Sequence, residues 1–267
     1  MKKMPLLAFF RIACFTSLLV VLGSQTKLAA QEDQSITVYQ YRNVPDDKID
    51  EFIKRETTYW SKLAEKAVKD KTMTFWAVLE KVGGYDMANS SNFLFINTFP
   101  NIDKAAEVFT NIETVTGAKM KDMETYSLST TTSQFFLHDQ NWVQDAKADP
   151  SKDFNYVVMN YQNTNYSDSM IGLEKKYWEP FIQKAMNNNQ TTQMAWGNAI
   201  VLQPMGDDIK FTTVSYDLFK NLQDALMHQW DPKLIFPTKG LNMIGKIAMN
   251  RPAIAVYRVV KVVSTPQ

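Results

Sequence analysis

One five-residue pattern, written twice, limits what this chain can fold into. Glu56-Thr57-Thr58-Tyr59-Trp60 and Glu174-Lys175-Lys176-Tyr177-Trp178 share Glu-x-x-Tyr-Trp. Each sits in a stretch whose apolar residues recur at helical spacing. At roughly 100° per residue, Ile49, Phe52, Trp60, Leu63 and Ala67 fall within about 40° of Glu56 on a helical wheel. Met170, Trp178, Phe181 and Ala185 do the same around Glu174. Each glutamate therefore occupies the centre of a face that burial should claim. An isolated carboxylate there is costly unless it is paired, hydrogen-bonded or protonated.

The echo extends beyond the pentapeptide. In the first half, strands are expected at 36–41, 73–82, 92–99 and 132–138, with helices from Pro45 to about Lys69 and from Pro100 onward. In the second half, strands are expected at 156–161, 192–203, 210–216 and 253–263. Helices are expected from Ser167, read as the cap, to about Asn187, and over 218–230. A Trp follows the first helix in both halves, Trp76 and Trp196. Each half thus reads strand–helix–strand–strand–helix–strand, the split βαβ or ferredoxin-like unit. A period near 118 to 120 residues means a duplicated domain, not a solenoid. The divisions are a leader over 1–31, repeat 1 over 32–140, a polar linker over 141–153 and repeat 2 over 154–267.

The leader reads as a secretory signal. Lys2 and Lys3 precede a mainly apolar run from Cys14 to Leu22, and Leu28-Ala29-Ala30-Gln31 offers small residues for cleavage. The run is too short, and Arg11 too disruptive, for a transmembrane helix. Loss of Lys2, Lys3, Arg11 and Lys27 with the leader turns a formal charge of +1 into −3. Such a chain has no electrostatic case for nucleic acid. Its single Cys lies in the leader, so the remainder holds no disulfide, thiol nucleophile or Cys-based metal site. These features point to a soluble bacterial protein, periplasmic or secreted, with no membrane span once the leader is gone. No phosphate-binding Gly-rich loop, Ser nucleophile elbow or zinc motif is present, and no metal site is expected.

Two tandem ferredoxin-like units in one exported chain resemble the dimeric α+β barrel superfamily in fused, pseudo-dimer form, and are similar to secreted bacterial proteins of that kind. The resemblance runs from about Ile36 to Val263. It implies an α+β fold in which two four-stranded sheets close into a pseudo-two-fold barrel with helices outside. It also implies a ligand cavity between helix and sheet, into which Glu56 and Glu174 would point. Members of the group include cofactor-free monooxygenases, isomerases, haem proteins and binding modules.

Two readings of the glutamates stand side by side. One is a carboxylate of raised pKa acting as general base or ligand anchor; the other is a structurally satisfied buried acid. Tyr59, Trp60, Trp76, Tyr177, Trp178 and Trp196 read either as the lining of a pocket for a small apolar or aromatic ligand or as core packing between helix and sheet. Of the two histidines, His138 ends a strand and His228 is placed on the 218–230 helix. Resemblance to the chlorite dismutase group raises His228 as a haem ligand; no accompanying motif matches, and no other cofactor is implied. The leading functional expectation is a binding protein. A cofactor-free monooxygenase or isomerase using Glu56 or Glu174 as base is the alternative, followed by a haem protein and a purely structural or interaction module.

Overall fold

The computed structural model describes residues 34–85, 91–206 and 209–265; the leader expected over 1–31 lies outside them. Eight strands form a closed barrel: β1 (Ile36–Asn43), β2 (Phe75–Gly84), β3 (Phe93–Phe99), β4 (Thr130–Gln144), β5 (Tyr156–Gln162), β6 (Gln193–Gln203), β7 (Thr213–Phe219) and β8 (Ala253–Ser264). Their order around the barrel is β1-β3-β2-β8-β5-β7-β6-β4, and every pair is antiparallel. Closure within one chain leaves no free sheet edge. This is the expected α+β architecture of two ferredoxin-like repeats. Among the described residues no helix is long and apolar enough to cross a membrane.

The register carries the duplication residue by residue. Arg42 faces Phe93 across β1 and β3, and Gln162 faces Thr213 across β5 and β7. Trp76 faces Asn97, and Trp196 faces Asp217. Val78 faces Lys261 at one junction between repeats, and Asn198 faces Asn141 at the other. Any strand residue of the first half can therefore be matched to its partner in the second.

Alternation along the strands sorts side chains into two layers. One set fills the barrel: Tyr39, Tyr41, Leu94, Met159, Tyr161, Ala195, Val214 and Tyr257 are all buried in a single cluster. This interior is unusually rich in hydroxyls. Tyr41 donates to the Tyr161 hydroxyl at 3.0 Å, and the Tyr161 and Tyr257 hydroxyls lie 3.4 Å apart. Gly197 is required here, since a Cβ would sit 2.5 Å from the Tyr216 ring. The opposite faces of the strands carry the long helices α1 (residues 49–69) and α2 (residues 167–187).

Several boundaries differ from expectation. The helix expected over 218–230 shrinks to Leu222–Leu226, because Leu218 and Phe219 stay in β7, where both are buried. The strand expected from Lys210 accordingly starts at Thr213. The helix expected from Pro100 becomes 3-10 turns over Ile102–Phe109 and short helices after them. Ser167 does not cap α2; the preceding Tyr166 holds that place without a side-chain bond. β4 runs to Gln144, into the polar stretch read as linker, because Trp142–Gln144 pair with Ala195–Gly197. The helix Thr238–Ile247, here α3, crosses α2, with Gly240 so close to Tyr177 that a Cβ would lie 2.3 Å from that side chain.

Candidate functional site

Both pentapeptides form a π-helical turn. Glu56–Trp60 interrupts α1 and Glu174–Trp178 interrupts α2. The Ser61 amide donates to the Glu56 carbonyl and the Glu179 amide to the Glu174 carbonyl, five residues back instead of four. Pro180 does not cause the interruption, since repeat 1 has Lys62 there and the same turn. π-Turns of this kind often mark functional positions. The wide turn also corrects the wheel drawn from 100° per residue. Ser61, not Trp60, comes to lie over Glu56: Ser61 is 3% exposed, while Trp60 is half-buried.

Glu56 is sealed and 3% exposed. Thr125 donates its hydroxyl to Oε1 at 2.8 Å, and the Arg42 guanidinium stands 3.9 Å away. Arg42 is itself fixed, donating to Thr125 and Gln40 and lying 4.7 Å from the Phe95 ring centre. Burial pushes the Glu56 carboxyl up to about 7, partly opposed by Arg42 and Thr125. The surroundings are apolar: Phe52 packs on Phe93 and Phe95 at 4.9 and 6.0 Å between ring centres, and Val78 is fully buried.

Glu174 occupies the same turn in different company. Its Oε2 accepts from Asn198 at 2.6 Å, and Asn198 in turn accepts from the backbone and side-chain amides of Asn141, each at 3.0 Å. No cation pairs with it among the described residues. Beside it, Asp217 accepts from Asn160 at 2.8 Å and from Gln193 at 2.7 Å. Burial pushes Glu174 up to about 7, with a contribution from the charge of Asp217, and pushes Asp217 up to about 6. The Gln193 Oε1 atom is buried with no hydrogen-bond partner. Glu174, Asn160, Ser215 and Asp217 are nevertheless only half-buried. Glu174 and Asp217 are thus held among amides while keeping partial access to solvent.

The six aromatic residues expected to line one pocket are divided. Trp76 is core packing of repeat 1, and Trp196 packs on Ile182 and Met186 in repeat 2. Trp60 donates its indole N–H to the Met123 carbonyl at 2.9 Å. Tyr59 is half-buried, and Tyr177 is held against Gly240. Trp178 joins a run of rings in which Phe181, Trp230 and Phe236 follow at centre distances of 5.1 to 6.2 Å.

His228 lies in a loop, not on a helix. Its Nε2 is 2.6 Å from the Thr191 hydroxyl, and its ring is 4.0 Å from Trp230 and 5.0 Å from Phe219. Burial holds it down at about 4, so it is neutral near pH 7. Clasped on a ring edge and a face, this imidazole does not fit the role of axial haem ligand. His138 lies within β4, with Nδ1 2.9 Å from Gln140. No group of three or more His, Cys, Asp or Glu suited to a metal occurs among the described residues.

Sequence reasoning missed Arg42, Thr125, Asn198, Asp217 and the tyrosine network. The strand period would have found some of them, since Tyr41 and Tyr161 are matched positions, as are Asn97 and Asp217.

No family model and no curated protein matches the sequence. Solved structures do. A candidate monooxygenase of Lactobacillus acidophilus is 7% identical with a TM-score of 0.58, over 86% of this chain and 96% of that one. An anthrone oxidase-like protein is 14% identical with a TM-score of 0.53, over 89% and 95%. A candidate monooxygenase of Fusobacterium nucleatum is 8% identical with a TM-score of 0.54, over 86% and 94%. At such identities the likeness concerns the fold: the chain has the dimeric α+β barrel fold, closed within one polypeptide.

Proposed function

We propose that the protein binds a small aromatic ligand carrying a hydroxyl or similar donor, and that repeat 2 is the half that does so. One observation carries this reading: Glu174 and Asp217, partly open to solvent, stand among the amides of Asn160, Gln193 and Asn198, whereas repeat 1 buries Glu56 beside Arg42 and Thr125. Two carboxyls pushed to about 7 and about 6 without a cation offer acceptors that a ligand O–H or N–H can satisfy. On this reading Glu174 anchors the ligand, and Glu56 is the structural copy. The leader-like residues 1–31 support export to the periplasm or exterior as the setting.

The test is titration of the full chain with 1-naphthol, followed by tryptophan fluorescence and calorimetry. Glu174→Gln should weaken binding at least tenfold, and Glu56→Gln should not. Equal loss in both variants, or no saturable binding, overturns the proposal.

A second reading is supported by the carboxyl near 7. A base with that pKa is suited to taking a proton from a phenol or an activated C–H at neutral pH. Fold relatives described as candidate monooxygenases and an anthrone oxidase-like protein are in keeping with it. It predicts oxygen consumption with an electron-rich phenol, lost in Glu174→Gln. Unchanged consumption in that variant would reject it.

A further inference from the structure

Each repeat has a cleft at the same place, beside the C-terminal half of its long helix. In repeat 1 it measures about 200 Å³ and is bordered by Leu63, Lys66, Ala67, Asp70, Thr72 and Glu107. In repeat 2 it measures about 260 Å³ and is bordered by Phe181, Lys184, Ala185, Gln190, Lys233 and Ile235. The helix positions correspond: Leu63 matches Phe181, Lys66 matches Lys184, and Ala67 matches Ala185. What has changed is chemistry.

The repeat 1 cleft neutralises itself. Lys66 pairs with Asp70, one helical turn on, and Glu107 adds an acid to the rim. In repeat 2 the position of Asp70 is held by Asn188, and the opposite wall contributes Lys233 instead of an acid. Neither Lys184 nor Lys233 has an ion-pair partner among the described residues. The acid nearest in sequence, Asp231, turns its Oδ1 onto the Lys233 backbone amide at 2.8 Å. The floor has changed from Leu63 to Phe181, a half-buried ring that touches Trp178, Trp230 and Phe236. At the rim, Ile235 is 88% exposed. A bare branched aliphatic beside two unpaired cations and an aromatic edge is what a ligand with a flat apolar body and an anionic end would cover.

We propose that this cleft is a binding site for a small aromatic carboxylate. The ring lies against Phe181 and under Ile235, and the carboxylate sits between Lys184 and Lys233. The size suits one or two fused rings, below the ~300–1,000 Å³ usual for drug-sized ligands. The site is separate from Glu174 and does not rest on the function proposed for it.

The probes are 2-naphthoate and its uncharged ester methyl 2-naphthoate, which has no donor for Glu174, added to the full chain while fluorescence of the nearby tryptophans is followed. Naphthoate should quench saturably, at least tenfold more tightly than the ester, and added salt should weaken it. The Lys184→Glu/Lys233→Glu double variant should lose at least tenfold, whereas Lys66→Glu should leave the constant unchanged. Phe181→Leu, which copies repeat 1 and keeps an apolar floor, should erase the preference for naphthoate over cyclohexanecarboxylate. Equal binding of the ester, equal loss in Lys66→Glu, retained ring preference in Phe181→Leu, or the absence of saturable quenching would each overturn the proposal. Thermal unfolding of each variant separates lost binding from lost fold, and the charge and ring tests fail independently.

Discussion

The same strand and helix positions hold different chemistry in the two repeats, and the register makes the comparison one-to-one. Phe93, Phe95 and Val78 of repeat 1 become Thr213, Ser215 and Asn198 in repeat 2; on the helix, Phe52 becomes Met170. Arg42 becomes Gln162, and Asn97 becomes Asp217. Repeat 1 thus closes over its glutamate with rings and a guanidinium. Repeat 2 surrounds the equivalent glutamate with amides and a second acid, and lets solvent in. The lesson is that duplication let one helix–sheet layer keep the work of stability while the other took on polar groups that a core does not need. If that division is wrong, matched substitutions will show it.

The largest expected effect is in the sealed layer. Phe93→Ala removes a fully buried ring in contact with Phe52 and should cost about 3–5 kcal/mol. Thr213→Ala, its match, removes a few atoms from a layer already polar and should cost about 1 kcal/mol. Urea unfolding measures both, and similar costs would end the distinction between the two layers. Next comes Arg42→Gln, which gives repeat 1 the residue of repeat 2. It leaves Glu56 buried without its cation and should cost about 3 kcal/mol where that carboxylate is charged. Because Glu56 sits near 7, the cost should be largest above pH 8. It should shrink below pH 5, where the carboxyl is protonated and only the lost hydrogen bonds remain. A pH-independent cost would mean that Arg42 acts through packing on Phe95 alone.

The architecture was legible because it is written in periodicity, and periodicity is local. Alternation marked the strands, and the doubled pentapeptide marked both helices and the inward acids. Where chain neighbours did not decide the outcome, the reading failed. Residues 218–230 have helical composition, but Phe219 is claimed by the barrel, so the helix starts late and stops early. His228 followed that error, moving from helix to loop. The π-turn was hidden in plain view: the pentapeptide was recognised, but a fixed 100° step put Trp60 where Ser61 lies. Arg42, Asn198 and Asp217 were invisible as partners because packing of each helix on the sheet brings them to the glutamates across 14, 24 and 43 residues of chain. No spacing rule links positions joined only by the packing of a helix on a sheet.

The pH response sharpens the comparison further. Glu174 is raised from an ordinary carboxyl to about 7. A raised acid favours the fold most while protonated, fully so below about 4.5, and that contribution is lost as pH rises through about 7. Glu174→Gln mimics the protonated form. It should match the parent near pH 4 and exceed its stability by about 1–2 kcal/mol near pH 8.5, after discounting a shift of this size for partial solvent access. Thermal unfolding across that range reads the gain directly. A variant less stable at every pH would show that the carboxylate has a structural partner that glutamine cannot replace.

The smallest effect isolates a single bond. Trp60 and Trp178 hold the same place in the two π-turns and are both half-buried. Only Trp60 uses its indole N–H, which donates to the carbonyl of Met123, a residue with no solvent exposure. Trp→Phe at either position removes a similar area of ring, so the area terms largely cancel between the two variants. At position 60 the substitution also leaves a carbonyl of the 120–123 turn without its donor, and an unsatisfied buried acceptor costs about 1 kcal/mol or more. Trp60→Phe should therefore be the more destabilising by about 1 kcal/mol, and amide exchange of residues 120–125 should quicken in that variant alone. Equal losses at the two positions would mean that the indole bond ties nothing down. The segment carrying Thr125 to Glu56 would then be held by its own packing, and the contrast between a fastened first repeat and an open second would rest on Arg42 and the phenylalanines.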